Sequence, residues 1–270
     1  MNPLTARALA RLAGPAAFAL ALMAGSLLTS GIARASTLLI DNFSAPTAPV
    51  TSVFTGVDEA TFNQFTATVP GGVRGVYHHS YTNPLNSVAA LAVGNGQLSS
   101  SSGVGVQTEV LVFYGAFTRP TLQPEVGGPL LGLDATPYGA FRFDFSGLSG
   151  VMNINVVLYT ASPLDPVSPL YYSTTGVNVA PASPGASLSF DLPFALSDPF
   201  NFARVDGIAL VINRANGATG LAWNLDSFSL VSAVPEPAPA VLLLAGLAVL
   251  GWLGQRQAAR AAGLLSPAGQ

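Results

Sequence analysis

Ile40-Asp41-Asn42-Phe43-Ser44, near the start of the chain, and Leu225-Asp226-Ser227-Phe228-Ser229, near its end, share one pattern: apolar, Asp, small polar, Phe, Ser. Up to each aspartate the apolar residues alternate, with Leu38 and Ile40 on even positions and Leu221, Trp223 and Leu225 on odd ones. Beyond it the parity changes, to Phe43 in the first copy and to Phe228 and Leu230 in the second. Successive residues of a strand face opposite ways, so a parity change that keeps apolar groups on one face needs one extra residue, a β-bulge. The pattern predicts bulges at Asp41-Asn42 and Asp226-Ser227, and a first and a last strand lying side by side, antiparallel. Phe143-Asp144-Phe145-Ser146-Gly147-Leu148 is a weaker third copy.

Outward from these two copies, no helical period stands out between Ser36 and Ala233. Short β-branched and aromatic runs predict strands over 37–40, 50–54, 62–68, 75–81, 88–93, 97–100, 108–114, 140–145, 152–160, 170–173, 187–191, 207–213 and 221–231. Turn chemistry separates them: Val69-Pro70-Gly71-Gly72, Gly94-Asn95-Gly96, Gly127-Gly128-Pro129, Ser162-Pro163, Ala182-Ser183-Pro184-Gly185 and Asn216-Gly217. Asn95-Gly96 is the strongest hairpin signal. The expected fold class is all-β, an antiparallel jelly-roll-like β-sandwich, flanked by a signal-peptide helix before it and a single transmembrane helix after it.

The pairing of the chain ends, with Phe141-Arg142-Phe143-Asp144-Phe145 ahead of Asn153-Ile154-Asn155-Val156-Val157-Leu158 and Val205-Asp206-Gly207-Ile208 ahead of the last strand, resembles jelly-roll sandwiches of the galactose-binding and carbohydrate-binding kind. The similarity runs over residues 38 to 231 and bears on fold more than on ligand. Many such domains hold a structural calcium near the terminal strands, which the resemblance would assign to Asp41 and Asp226. Two carboxylates fall short of the six to eight oxygens calcium takes. The alternative is that each aspartate bonds the backbone of its own bulge. No other cofactor is expected.

Both ends read as export signals. Met1 to Ala35 has Arg7 and Arg11, an apolar Leu12 to Leu28 and then Ala33-Arg34-Ala35, so a secretory signal peptide is expected, with cleavage before Ser36. An uncleaved N-terminal anchor is the alternative. At the other end, Val234-Pro235-Glu236-Pro237 precedes the uncharged apolar run Ala238 to Leu253, then Arg256 and Arg260. Two prolines favour an extended, accessible peptide. Sixteen helical residues span about 24 Å, a little short of the ~30 Å hydrocarbon core, and Trp252 and the arginines can close the gap by snorkelling. The arginines put this end in the cytoplasm. A short tail, 261–270, follows.

These residues resemble the PEP-CTERM sorting signal of Gram-negative bacteria, in which Pro-Glu-Pro, a short transmembrane helix and a basic cluster close an exported protein. The motif carries over onto Val234 to Pro237, Leu242-Leu243-Leu244, Gly246-Leu247 and Arg256. The departures are a basic cluster spread as Arg-Gln-Gln-Ala-Ala-Arg and the ten residues after it. The resemblance implies exosortase and the secretion machinery as partners, transient residence at the inner membrane, and delivery to the cell surface or the extracellular polysaccharide matrix of a biofilm. A plain C-terminal anchor on a Pro-rich stalk is the alternative.

Between the signals, five arginines face twelve acids and there is no lysine, a net charge near −7. Nucleic acid, which needs a basic face, is excluded as a partner. No cysteine means no disulfides, thiol catalysis or zinc-thiolate site. The only histidines, His78 and His79, are adjacent, so on a strand they diverge and cannot easily chelate one ion. Gly147-Leu148-Ser149-Gly150 misses the nucleophile elbow by one place, and Gly71-Gly72-Val73-Arg74-Gly75 lacks the Lys-Ser/Thr of a phosphate loop. No catalytic site is expected. Sugar stacking would fall to Tyr77 and Tyr81, which share a face, and to Tyr171 or Tyr172, one of which must point outward. Tyrosines at ordinary half-buried sheet positions are the alternative. The expected function is that of a non-enzymatic exported protein with a structural or adhesive role; the alternatives are a carbohydrate-binding module and a surface glycoside hydrolase or lyase.

Overall fold

In the computed structural model, the residues described are 36–46, 49–115, 130–160, 170–173, 176–194, 200–214 and 217–232, with 247, 250, 251 and 253. The contact pattern sets Ser36–Ala233 apart from both ends of the chain. The expected cleavage residues Ala33 and Ala35, the tail residues Val234, Pro235, Glu236, Pro237, Leu242, Leu243, Leu244, Gly246, Arg256 and Arg260, and the turns at Gly127-Gly128-Pro129, Ser162-Pro163 and Asn216 lie outside the described residues. Leu247, Leu250, Gly251 and Leu253 are helical and, among the described residues, no helix is long and apolar enough to cross a membrane.

Ser36–Ala233 holds fourteen described strands: β1 (Thr37–Asp41), β2 (Val50–Phe54), β3 (Glu59–Thr66), β4 (Val73–Thr82), β5 (Ala89–Gly94), β6 (Gln97–Ser102), β7 (Gln107–Gly115), β8 (Ala140–Leu148), β9 (Met152–Thr160), β10 (Leu170–Ser173), β11 (Val177–Val179), β12 (Ala186–Pro193), β13 (Gly207–Ile212) and β14 (Ala222–Val231). Thirteen overlap the strands read from the sequence. The addition, β11, is three residues long, too short to show alternation. One sheet runs β12-β8-β14-β6-β5-β2, with β1 also on β14; the other runs β10-β9-β13-β7-β4-β3, with β11 also on β9. Every pairing between these strands is antiparallel, and Ser36–Ala233 is a two-sheet antiparallel sandwich.

β1 and β14 pair antiparallel, as the repeated pattern requires. Leu39 faces Ser229 and Asp41 faces Phe228, so Ile40 is the extra residue, just ahead of the expected Asp41-Asn42. That one extra residue turns the odd positions inward, so Asp41 and Phe43 are buried and Asn42 is exposed; Phe43 itself has a φ of 54°. On β14, Leu225 faces Phe145 and Ser227 faces Asp144, making Asp226 the extra residue where one was expected. The bulge lets Leu225 and Phe228 face the same core, where Phe228 stacks on Phe143 at 5.1 Å and Phe141 at 5.5 Å. Trp223 is buried there too, edge-on to Phe145. Val76, Val112, Ile154, Val156, Ile208 and Leu210 close the core from the other sheet.

Candidate functional site

β4 alternates strictly over its second half. Val76, His78 and Ser80 are buried, whereas Tyr77, His79 and Tyr81 reach the outer face of their sheet and remain partly exposed. The two histidines diverge as strand geometry demands. His78 lies inside, its ring 4.7 Å from Phe54 and its Nδ1 2.8 Å from Ser52 Oγ on β2 of the opposite sheet. Burial, and secondarily the neighbouring His79, lower its pKa to about 4, so it is neutral at physiological pH.

Outside, the three rings form a row along the strand, Tyr77 to His79 at 5.7 Å and His79 to Tyr81 at 4.0 Å. Acidic groups hold the row in place. His79 Nε2 is 2.8 Å from Asp58 Oδ1, and the Tyr81 hydroxyl donates to Glu109 of β7. Burial, then that hydrogen bond and the Glu109 charge, push the Tyr81 hydroxyl well above its ordinary pKa. Burial, Glu109 and Asp58 raise Tyr77 in the same order. Both phenols therefore stay protonated donors. Phe62 of β3, opposite Tyr77, leans across Gly75 onto Phe113; a Cβ at Gly75 would sit 3.0 Å from its ring. Farther across this face Leu111, Phe113, Val157, Tyr159, Ala209 and Val211 are buried. Of the rings on this face, those of the β4 row and Phe62 keep partial exposure.

Of the four tyrosines singled out in the sequence, Tyr77 and Tyr81 come together in this row. Tyr171 and Tyr172 lie on β10, opposite Tyr159 and Leu158 of β9. That strand lies four strand spacings from β4, about 19 Å. His79, Asp58 and Glu109 join the row without having been singled out as sugar-contacting residues. The parity of His79 with Tyr77 and Tyr81 is the one signal that could have placed it there, because Glu109 arrives through strand pairing.

Asp41 and Asp226 are not brought into a calcium shell. Asp41 is fully buried: Arg74 donates to both carboxylate oxygens, the Tyr114 hydroxyl donates to Oδ2 at 2.8 Å, and the Phe43 amide donates to Oδ1 at 2.7 Å. A guanidinium occupies the place that calcium would need, and the bond to Phe43 is the aspartate-to-own-bulge alternative. Asp226 Oδ1 accepts from Gln97 Nε2 and Ser146 Oγ, each at 2.8 Å. Among the described residues, no three His, Cys, Asp or Glu side chains cluster as metal ligands.

No protein-family model and no curated protein matches the sequence. Among solved structures the chain is similar to a family 11 carbohydrate-binding module from Clostridium thermocellum in complex with a β-1,3-1,4-mixed-linked tetrasaccharide, at 12% identity and TM-score 0.36, covering 74% of this chain and 98% of that one. It is also similar to a CBM4 module, at 10% identity and TM-score 0.32 over 72% of this chain and 99% of the other. An agarase matches at 13% identity and TM-score 0.33 over 74% of this chain and 25% of its own. At these identities and TM-scores none of them says what this chain binds.

What the row can do follows from its groups. Partly exposed rings offer apolar faces to the C–H faces of a sugar, a contact worth about 25 cal/mol per Å² of apolar area buried. Exposed Asp58 beside them can accept hydrogen bonds from hydroxyl groups, whereas Glu109 is buried and holds the Tyr81 hydroxyl. An acid on either side makes an anionic ligand the poorer fit.

Proposed function

We propose that this is an exported carbohydrate-binding protein that holds polysaccharide against the Tyr77-His79-Tyr81 row. The observation that carries the reading is the row itself: three partly exposed rings on one strand face, braced by Asp58 and Glu109. The role is non-enzymatic. Delivery rests on the ends of the chain: a signal peptide cut before Ser36, and Pro235-Glu236-Pro237 with its apolar run and Arg256 and Arg260 as an exosortase-read tail. That tail would hold the protein at the inner membrane before release to the cell surface or the biofilm matrix.

The test is affinity electrophoresis of the secreted protein through gels containing neutral or acidic polysaccharides. Tyr81→Ala and Tyr77→Ala are expected to weaken retardation roughly fivefold each, the loss of about 1 kcal/mol from roughly 40 Å² of apolar contact. Circular dichroism confirms that the fold survives. Retardation unchanged in both variants would remove the row from the reading. No retardation across the panel would return the protein to a scaffold role without glycan recognition.

A further inference from the structure

The opposite face of the molecule carries a groove of about 420 Å³, within the roughly 300–1,000 Å³ range of ligand sites. Strand register builds it from two rows that cross the strands. One runs Thr51, Ala92, Ser99, Asn224, Gly147 and the other Val53, Ala90, Ser101, Ala222, so that five strands contribute. At a spacing of about 4.8 Å per strand the longer row spans roughly 19 Å, a trough rather than a pit. Its floor is low because the floor residues are Ala, Ser and Gly. Adding a Cβ at Gly147 would bring it to 3.3 Å from the Asn224 amide.

The lining chemistry narrows the occupant. None of the residues around the groove is charged. Thr51, Ser101 and Asn224 make no side-chain hydrogen bond among the described residues, which leaves two hydroxyls and an amide pointed at the open face. Ser146, at the β8 end, donates to Asp226 Oδ1, and the other oxygen of Asp226 has no donor among the described residues. The strands under the floor, β5, β6 and β14, are each paired on both sides, so a peptide lying along the groove finds no backbone to pair with there; among the described strands the free edge beside the groove is that of β2, at its rim. A polyanion meets a carboxylate at one end and no cation in the lining. A neutral polyhydroxylated chain matches the length, the absence of charge and the free hydroxyl and amide groups.

We propose that this groove binds a neutral polysaccharide chain. Because the two sheets pack through their inner faces, the groove and the Tyr77-His79-Tyr81 row face opposite ways, and a molecule carrying both cross-links two chains. The cross-linking rests on the carbohydrate-binding reading of the row; binding in the groove does not.

The experiment is an amide chemical-shift titration of the secreted protein with glucan, xylan, galactan and mannan hexasaccharides, paired with viscometry of the corresponding polymers. Shifts at Ser99, Ser101 and Asn224 report the groove, and those at Tyr77, His79 and Tyr81 report the row. Ala92→Phe, which raises the floor, is expected to weaken the groove response at least tenfold and leave the row response unchanged. Tyr81→Ala should do the reverse, and either should abolish the rise in viscosity. Ala222→Phe, at an exposed position, repeats the block should Ala92→Phe lose its dispersed spectrum. Groove amides that stay still with every sugar, or cross-linking that survives both groove variants, would overturn the proposal. Groove shifts without row shifts would sink the row reading and leave the groove standing.

Discussion

Arg74 is fully buried between the sheets, and replacing it is the sharpest test of how the sandwich is tied together. Its guanidinium donates to both oxygens of Asp41 and to the Ala45 carbonyl, and lies over the rings of Phe43 and Phe65 at 5.1 and 5.3 Å. Arg74→Met keeps most of the side-chain volume but strands the Asp41 carboxylate in the core. Breaking a buried pair from one side costs about 3–5 kcal/mol. That is a large part of the roughly 5–15 kcal/mol that holds a domain folded. At about 2–4 °C per kcal/mol for a domain of this size, the melting temperature should fall by roughly 6–20 °C. Asp41→Asn with Arg74→Met removes both charges, yet the new side-chain amide keeps Oδ1 to accept from the Phe43 amide, while its NH2, in place of Oδ2, donates to the Tyr114 hydroxyl oxygen. The double variant should therefore recover about 2 kcal/mol relative to the sum of the singles. The assay is urea unfolding followed by the fluorescence of buried Trp223, with the slope checked for constancy. A cost under about 1 kcal/mol for Arg74→Met, or strict additivity in the double variant, would refute the assignment of this pair as the tie between the sheets.

Three further outcomes are expected. His78 has a folded pKa of about 4 against 6.5 unfolded, so the unfolded chain binds the extra proton between those values. Its contribution is complete above pH 6.5 and is lost as pH falls toward 4, by about 3 kcal/mol, and His78→Phe should flatten that part of a stability-versus-pH curve measured in urea; a curve unchanged by the substitution counts against it. Gly115 has a φ of 75°, and a Cβ there would sit 2.5 Å from the Asp206 carbonyl oxygen, whereas Gly132, at 56°, has nothing within 4 Å. Gly115→Ala should cost more than Gly132→Ala, by at least ~1 kcal/mol in thermal melts, and equal costs would contradict the packing at that strand end. Replacing Glu236 in the producing cell should leave a heavier, membrane-retained product by intact mass, and an unchanged mass would reject processing at Pro-Glu-Pro.

Local signals were enough to show the strands, because alternation, turn residues and parity slips are properties of a few adjacent residues. The repeated pattern around Asp41 and Asp226 also pointed to the pairing of the first and last strands, although the two bulges differ: Ile40 is the extra residue against β14, and Asp226 the extra residue against β8. The same signals could not show what Asp41 does. Its partners, Arg74 and Tyr114, stand 33 and 73 residues away on the other sheet, and one buried guanidinium turns an apparent calcium ligand into half of an ion pair. The row on β4 was half legible: parity put Tyr77 and Tyr81 on one face, but Glu109 reaches Tyr81 only because β7 lies beside β4. The groove was not legible at all. Its Ala and Ser positions look like ordinary strand residues until five strands, drawn from between residue 50 and residue 231, come into register. What the sequence by itself determined is thirteen of the fourteen described strands, and the buried face of those that alternate, which short-range periodicity encodes. Which outward residues become neighbours was decided only by the tertiary structure, because non-sequential strand order is set by closing one shared core.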